Sequence, residues 1–269
     1  MCKPLARDPH PAARAMAQLT QIVAHLDELL EPARFSDYGP NGLQVPGRED
    51  VGTIVTGVSA GAELIERAIE EGADAILVHH GLFWKGAPLE LDRPAARRLR
   101  LLLEREVSLL AYHLPLDGHQ EHGNNALLAG ALGCEAWRPF PAGESPATGV
   151  AATFGEAGID ADVLLERVRA LAGERTPLAF NAGPDTVRSI GIVSGGGSSY
   201  LANAIAEGLD AFLTGEPIER VMLQAREAGI HFVAAGHYAT ETLGVQRLGD
   251  LLAERFAIRH TYIDVPNPI

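Results

Sequence analysis

Ala75-Ile76-Leu77-Val78-His79-His80-Gly81 decides how this chain is read. A short apolar run ending in turn signals is a buried strand. Two imidazoles gain nothing from an apolar core, so a histidine pair at the carboxyl end of that strand needs a purpose. In open α/β sheets, ligands bind beyond the carboxyl ends of the strands. His79 and His80 are therefore read as the first two ligands of a metal site.

The flanking sequence supplies the sheet. Thr53 to Val58 reads as a strand, Ala62 to Glu71 as a helix and Ala75 to Val78 as the next strand, a β-α-β pattern that implies parallel pairing. Arg93 to Arg105 is a further helix, and Val107 to Tyr112 a strand whose end carries His113-Leu-Pro-Leu-Asp117. Gly123 to Leu132 is helical, and Ala15 to Leu30 repeats apolar residues at helical spacing until Pro32 stops it.

Further on the pattern starts again. Ala68-Ile-Glu-Glu-Gly-Ala-Asp-Ala-Ile-Leu77 aligns without gaps on Ala204-Ile-Ala-Glu-Gly-Leu-Asp-Ala-Phe-Leu213, with seven of ten columns identical at an offset of 136 residues. The expected fold is α/β: two similar α/β halves with mostly parallel strands and a metal site in the cleft between them. The expected organisation is a loose tail over 1–14, a first half over 15–134, a Pro- and Gly-broken connecting segment over 135–187 and a second half over 188–269.

The second half offers the missing ligands. Ile230 to Ala235 reads as a strand, followed by Gly236-His237-Tyr238-Ala239-Thr240-Glu241 and a helix from Thr242 to Phe256. Four residues apart on a helix, His237 and Glu241 share one face. With Asp117, the candidate ligand set is His79, His80, Asp117, His237 and Glu241. Imidazole and carboxylate suit Zn, Mn, Fe, Co or Ni. One catalytic zinc takes three protein ligands, so five side chains point to two divalent ions roughly 3.5–4 Å apart with Glu241 bridging. Such a pair lowers the pKa of water toward ~7, and the chemistry it suits is hydrolysis of a small substrate. The alternative is a non-catalytic metal-binding or scaffold protein. His113, four residues before Asp117, is the candidate catalytic residue, able to orient a ligand or relay a proton; a structural hydrogen bond is its other reading. Ser194-Gly195-Gly196-Gly197-Ser198-Ser199 is either an anion-binding strand-to-helix turn or a tight backbone turn near the metals. Phe83 and Trp84 serve either to stack on a flat ring or to pack in the core or against a subunit.

Bulk properties narrow the rest. The 269 residues are 46% hydrophobic and 21% charged, as in ordinary soluble proteins. A formal net charge of −13 disfavours nucleic acid and anionic membrane surfaces as partners. Two cysteines, Cys2 and Cys134, build no disulfide framework, and no apolar run reaches the ~18 residues of a membrane span, so a cytoplasmic protein is expected.

With these residues assembled, the sequence resembles the NIF-three-like dinuclear-metal family, whose members are often named type 2 GTP cyclohydrolase I homologues, and especially its YbgI-like branch. The matching stretches are Ser36-Asp37-Tyr38 through Pro40-Asn41-Gly42-Leu43-Gln44-Val45, Val78-His79-His80-Gly81 with Phe83-Trp84-Lys85-Gly86, and His113-Leu114-Pro115-Leu116-Asp117. Gly123-Asn124-Asn125, Thr214-Gly215-Glu216, Ala235-Gly236-His237 with Ala239-Thr240-Glu241, and Ile263-Asp264-Val265-Pro266-Asn267-Pro268 complete them. The resemblance implies a two-metal site on the same five ligands. It also implies a homo-oligomer, a ring-shaped hexamer built as a trimer of dimers, with the sites facing an internal cavity.

Overall fold

The strand expected over Ala75–Val78 runs on to His80 and lies at the centre of a five-stranded sheet. The structure, a computed structural model, describes residues 16–173 and 175–269; the tail expected over 1–14 lies outside them. Leaving aside two-residue strands and 3-10 turns, the chain order begins with α1 (Leu19–Leu30), β1 (Gly42–Val45), β2 (Thr53–Ser59), α2 (Ala62–Glu70), β3 (Ala75–His80), α3 (Arg93–Glu104), β4 (Ser108–Ala111), α4 (Leu114–Gly118) and α5 (Asn124–Leu132). Next come β5 (Ala136–Phe140), β6 (Gly149–Thr153), α6 (Ala161–Leu171), β7 (Leu178–Phe180), β8 (Ser189–Val193), α7 (Leu201–Ala206) and β9 (Ala211–Thr214). The chain closes with α8 (Val221–Ala228), β10 (His231–Ala234), α9 (His237–Thr240), α10 (Thr242–Phe256) and β11 (Arg259–Tyr262).

The first sheet has the order β11-β2-β3-β4-β1, parallel except for β1, which runs against β4. Alternation along its strands builds two apolar faces. Ile54, Leu77 and Leu110 pack with Ile22 and Leu26 of α1 and Val245, Leu248 and Leu252 of α10. Val55, Ile76 and Leu109 face Leu64 and Ile65 of α2 and Leu102 of α3. A parallel sheet covered on both faces accounts for the near-continuous burial of β2, β3 and β4.

The second sheet has the order β7-β10-β9-β8-β6-β5, with β8, β9 and β10 parallel and the three others antiparallel to their neighbours. Ile190, Ile192, Leu213 and Val233 pack with Leu128 and Leu132 of α5 and Leu164 and Val168 of α6. Phe140, Phe212 and Phe232 meet Leu201, Val221 and Ala225 on the other face.

Two boundaries differ from the sequence expectation. Residues 135–187 do more than connect: they contribute β5, β6 and β7, half of the strands of the second sheet. The last strand, β11, belongs to the first sheet, paired parallel with β2 from Arg259–Thr53 to Tyr262–Thr56. The C-terminal stretch of the expected second half therefore completes the first.

Both repeated joints are pinned by an aspartate. Asp74 Oδ2 accepts the N–H groups of Gly52 and Thr53 at the start of β2, each at 2.9 Å. Asp210 Oδ2 accepts those of Arg188 and Ser189 at the start of β8, at 2.8 and 3.0 Å.

Candidate metal centre

The site forms where the carboxyl ends of strands from both sheets converge. His79 and His80 close β3, His113 and Asp117 lie just beyond β4, and His237 and Glu241 follow β10. Successive residues of a strand point apart, yet at this strand end the rings of His79 and His80 lie 4.7 Å apart by centroid, tilted at 45°. Their Nε2 atoms reach different oxygens. His79 Nε2 lies 3.5 Å from Asp117 Oδ2 and 3.5 Å from Glu241 Oε1. His80 Nε2 lies 3.3 Å from Glu241 Oε2, and His237 Nε2 is 3.1 Å from Glu241 Oε1.

All five sequence-predicted ligands come together, and Glu241 stands between them. Two ligand triads share it: His79, Asp117 and Glu241, all buried, and His80, His237 and Glu241. A third triad is His79, His80 and His113, so His113 belongs to the same cluster. One local expectation is corrected. His237 and Glu241 are not on one continuous helix: α9 ends at Thr240, and Glu241 (φ −119°, ψ 8°) is the break before α10. The break turns the carboxylate into the cluster while keeping it next to His237.

Every imidazole is held from behind. His79 Nδ1 donates to the Tyr112 carbonyl at 3.0 Å, and His80 Nδ1 pairs with Ser59 Oγ at 3.0 Å. His237 Nδ1 donates to Glu216 Oε1. His113 Nδ1 donates to Asp37 Oδ1 at 2.6 Å, and Asp37 also accepts the Leu114 N–H at 2.9 Å. Such partners fix the tautomer and direct the other nitrogen inward, the arrangement of ligating histidines. Asp117 is held likewise: its Oδ1 accepts from Asn124 Nδ2 at 2.9 Å and Ser194 Oγ at 3.0 Å, leaving Oδ2 for the cluster.

Electrostatics show a cluster built for positive charge. Burial disfavours the imidazolium of His79, but the Asp117 and Glu241 carboxylates outweigh it and lift its pKa to about 9. Burial likewise opposes, and Glu241 and Glu216 overcome, for His237, also raised to about 9. His80 goes the other way, to about 3, because burial and the neighbouring His79 charge both penalise its proton. Burial acts against the Glu241 carboxylate, yet the surrounding imidazoles hold it well below the usual range. Asp117 is pushed up by burial, beyond what His79 returns.

The donors fit divalent ions. His79 Nε2 and Glu241 Oε2 are buried without a hydrogen-bond partner, a costly state in a folded protein unless something else binds them. Ligand atoms about 2.0–2.1 Å from one tetrahedral ion sit about 3.3 Å apart, which matches the separations within both triads.

Other expectations resolve in space. The Ser194–Ser199 turn lies against the cluster: a side chain on Gly195 (φ +60°) would collide with Glu241 Oε1 and His237 Nε2. Gly195 N–H donates to Thr240 Oγ1 at 3.0 Å, and its carbonyl accepts from Gly215 and Glu216 at 2.9 and 3.0 Å. Trp84 packs edge-on to His113 with centroids 5.2 Å apart. His119 and His122 stack on each other at 5.0 Å, outside the triads. Asp37 and Glu216 are the functional residues that ligand spacing did not single out. The signal for Glu216 was present, since it stands 136 residues after His80.

The fold and this cluster define a class: two covered α/β sheets that meet at a histidine–carboxylate metal site. Comparison with known proteins makes it specific. The Duf34/NIF3 (NGG1p interacting factor 3) family profile matches residues 17–268, and the chain belongs to that family. It is 48% identical to a Pseudomonas aeruginosa protein named GTP cyclohydrolase 1 type 2 homolog, over 93% of this chain and 98% of that one. A protein of the same name from Escherichia coli K12 is 41% identical over 93% and 98%. The solved structure of protein ybgI, described as of unknown function, superposes with a TM-score of 0.87 at 40% identity, covering 94% of this chain and all of that one. TTHA1606 from Thermus thermophilus gives 0.85 at 35%, with 94% and 100% coverage. Among the described residues no helix is long and apolar enough to cross a membrane.

Proposed function

We propose that the protein is a dinuclear metal-dependent hydrolase of a small substrate, with a nucleotide or purine-like ring as the leading class. The observation that carries this reading is the pair of triads sharing Glu241, with His79 Nε2 and Glu241 Oε2 buried and unpartnered. His79, Asp117 and Glu241 would hold one divalent ion, and His80, His237 and Glu241 the other. Bound there, divalent ions supply Lewis acidity and a nucleophile from water near neutral pH. The chain's own residues supply the rest. Glu216, Tyr112 and Ser59 keep the imidazoles aimed inward. His113, anchored by Asp37, lines the same cleft as Asp117, His237 and Glu241 and is placed to give or take a proton at its free Nε2. The cleft encloses about 650 Å³, a size suited to a small molecule. The relatives' name supports a purine nucleotide as the first class to try. The same reading carries a ring-shaped hexamer, a trimer of dimers, as the assembly to look for by sedimentation.

The test is turnover of a metabolite panel by metal-loaded protein, with metal content measured per chain. The expected result is hydrolysis of at least one panel member, two metal equivalents, and loss of both in His79→Ala. Turnover unchanged by that substitution overturns the reading. Two bound equivalents with no turnover across the panel favour the scaffold alternative.

A further inference from the structure

The cleft has a rim that the ligands do not use. Tyr38 keeps its side chain in solvent, 66% exposed, although its backbone is fastened on both sides. Its N–H donates to Asp37 Oδ1 at 2.6 Å, and its carbonyl accepts the Lys85 N–H at 2.6 Å. The ring lines the metal cleft and meets His113 with centroids 6.0 Å apart at 64°. His113 is thus flanked by two aromatic rings, Tyr38 on the open side and Trp84 at 5.2 Å. An aromatic ring so exposed contributes little to the core. A rigid backbone holding it beside the cluster gives it a face on which a planar ring can stack.

Lys85 is fixed to the same rim through that bond to Tyr38. It occupies the second corner of a turn closed by the Ala87 N–H on the Trp84 carbonyl at 3.2 Å, with Gly86 at φ +81° in the third. Composition makes this residue unusual. Of 22 cationic side chains only Lys3 and Lys85 are lysines; the other 20 are arginines. A chain that otherwise uses guanidinium keeps an ammonium here, just past the histidine pair. Ammonium is a compact point charge suited to phosphate or carboxylate. The arginine lining the cleft, Arg34, is already committed to Glu31 at 2.6 Å. Glu144, Asp117 and Glu241 also line the cleft, so an anionic group on a ligand needs a cation at the edge.

We infer that Tyr38 and Lys85 form the positioning subsite of this cleft, which takes a planar aromatic ring carrying an anionic group. The inference rests on the cleft being the substrate site, as proposed above, but its test reads binding and not turnover. Inosine, ribose 5-phosphate and inosine 5′-phosphate serve as probes for ring, anion and both, titrated calorimetrically into metal-loaded protein. The expected order is inosine 5′-phosphate tightest. Tyr38→Ala should weaken inosine and inosine 5′-phosphate by about tenfold or more, the worth of one base–aromatic stack. Tyr38→Phe should restore them, and ribose 5-phosphate should not change. Lys85→Ala should weaken both phosphates and spare inosine. Because both side chains are exposed, the variants should fold and keep their metal content, which is checked on the same samples. Equal binding of all probes by wild type and Tyr38→Ala, or no binding by wild type at millimolar probe, overturns the inference. Tyr38-dependent binding without turnover of any substrate would leave the subsite standing while the hydrolase reading fell.

Discussion

The two β-α-β joints of this molecule are built alike and used differently. In the first, β2 pairs with β3 in the register Ile54–Ala75, Val55–Ile76, Thr56–Leu77 and Gly57–Val78. In the second, β8 pairs with β9 as Ile190–Ala211, Gly191–Phe212, Ile192–Leu213 and Val193–Thr214, each position displaced by the same 136 residues. Gly72 (φ +72°) and Gly208 (φ +67°) release the two helices, and Asp74 and Asp210 clamp the neighbouring strands. Beyond that point the joints part. The first strand ends in His79-His80; the second ends in Gly215-Glu216. A side chain on Gly215 would sit 2.6 Å from the His237 Cα, so that strand end is kept bare to let the next element approach. Glu216 then holds His237 by its Nδ1. One joint presents ligands itself, and the other supports a ligand that arrives from a later strand.

That contrast can be broken in measurable ways. The largest effect is expected from Glu241→Ala, because this carboxylate serves both triads: metal analysis should show loss of both equivalents, and retention of a full pair would refute the shared role. Next, the two clamps should be comparable in stability but not in consequence. Asp74→Ala, which also removes the Arg48 ion pair, should cost about 3 kcal/mol in urea unfolding, and Asp210→Ala about 2 kcal/mol. A negligible effect at either would show that the shared geometry is not what holds the joints.

Glu216→Gln should weaken metal affinity by roughly 10–100-fold with little change in metal-free stability, as expected for a partner of a ligating histidine. His79→Ala, on the ligand-presenting side, should remove an ion outright. The protons offer a subtler probe. In the metal-free protein His79 and His237 have pKa values raised to about 9 from an ordinary 6.5. Their stabilising contribution is therefore full below pH 6.5 and is lost as pH rises through about 9. Metal must displace those protons, so affinity should climb with pH up to about 9, and calorimetry in buffers of different ionisation enthalpy should register about two protons released per chain at about pH 7. A pH-independent affinity would contradict this. The smallest effects belong to Gly72→Ala and Gly208→Ala. Both positions are open but left-handed, so each should cost about 1 kcal/mol, and equally.

The parallel core was legible because β2, β3, β8, β9 and β10 are short apolar runs separated by helical spacing or turns. The ligands were legible because they stand at the ends of those runs. The strands within 135–187 were not. β5 carries Pro139, tolerated because it lies at the sheet edge, and β6 is the small, low-propensity run Gly-Val-Ala-Ala-Thr. Strand β11 gave no local sign of its partner, since its pairing with β2 spans about 200 residues of sequence and Arg-His-Thr-Tyr has no buried face of its own. The bond from His113 to Asp37 was hidden for the same reason: the residues are 76 apart, and Asp37 reads locally as an ordinary turn former. The kink at Glu241 escaped the four-residue spacing rule because its cause is the site itself, which draws the carboxylate inward.

The return of Arg259–Tyr262 to the edge of the first sheet has a consequence for biosynthesis. A ribosome delivers Thr53–Ser59 long before the strand that covers its outer side, and His79 and His80 long before Glu241. Through most of translation the histidine pair waits at an unfinished sheet with an open flank, exposed to whatever the cell offers there. Metal capture and closure of that flank are thus late events, gated by the same final stretch of polypeptide.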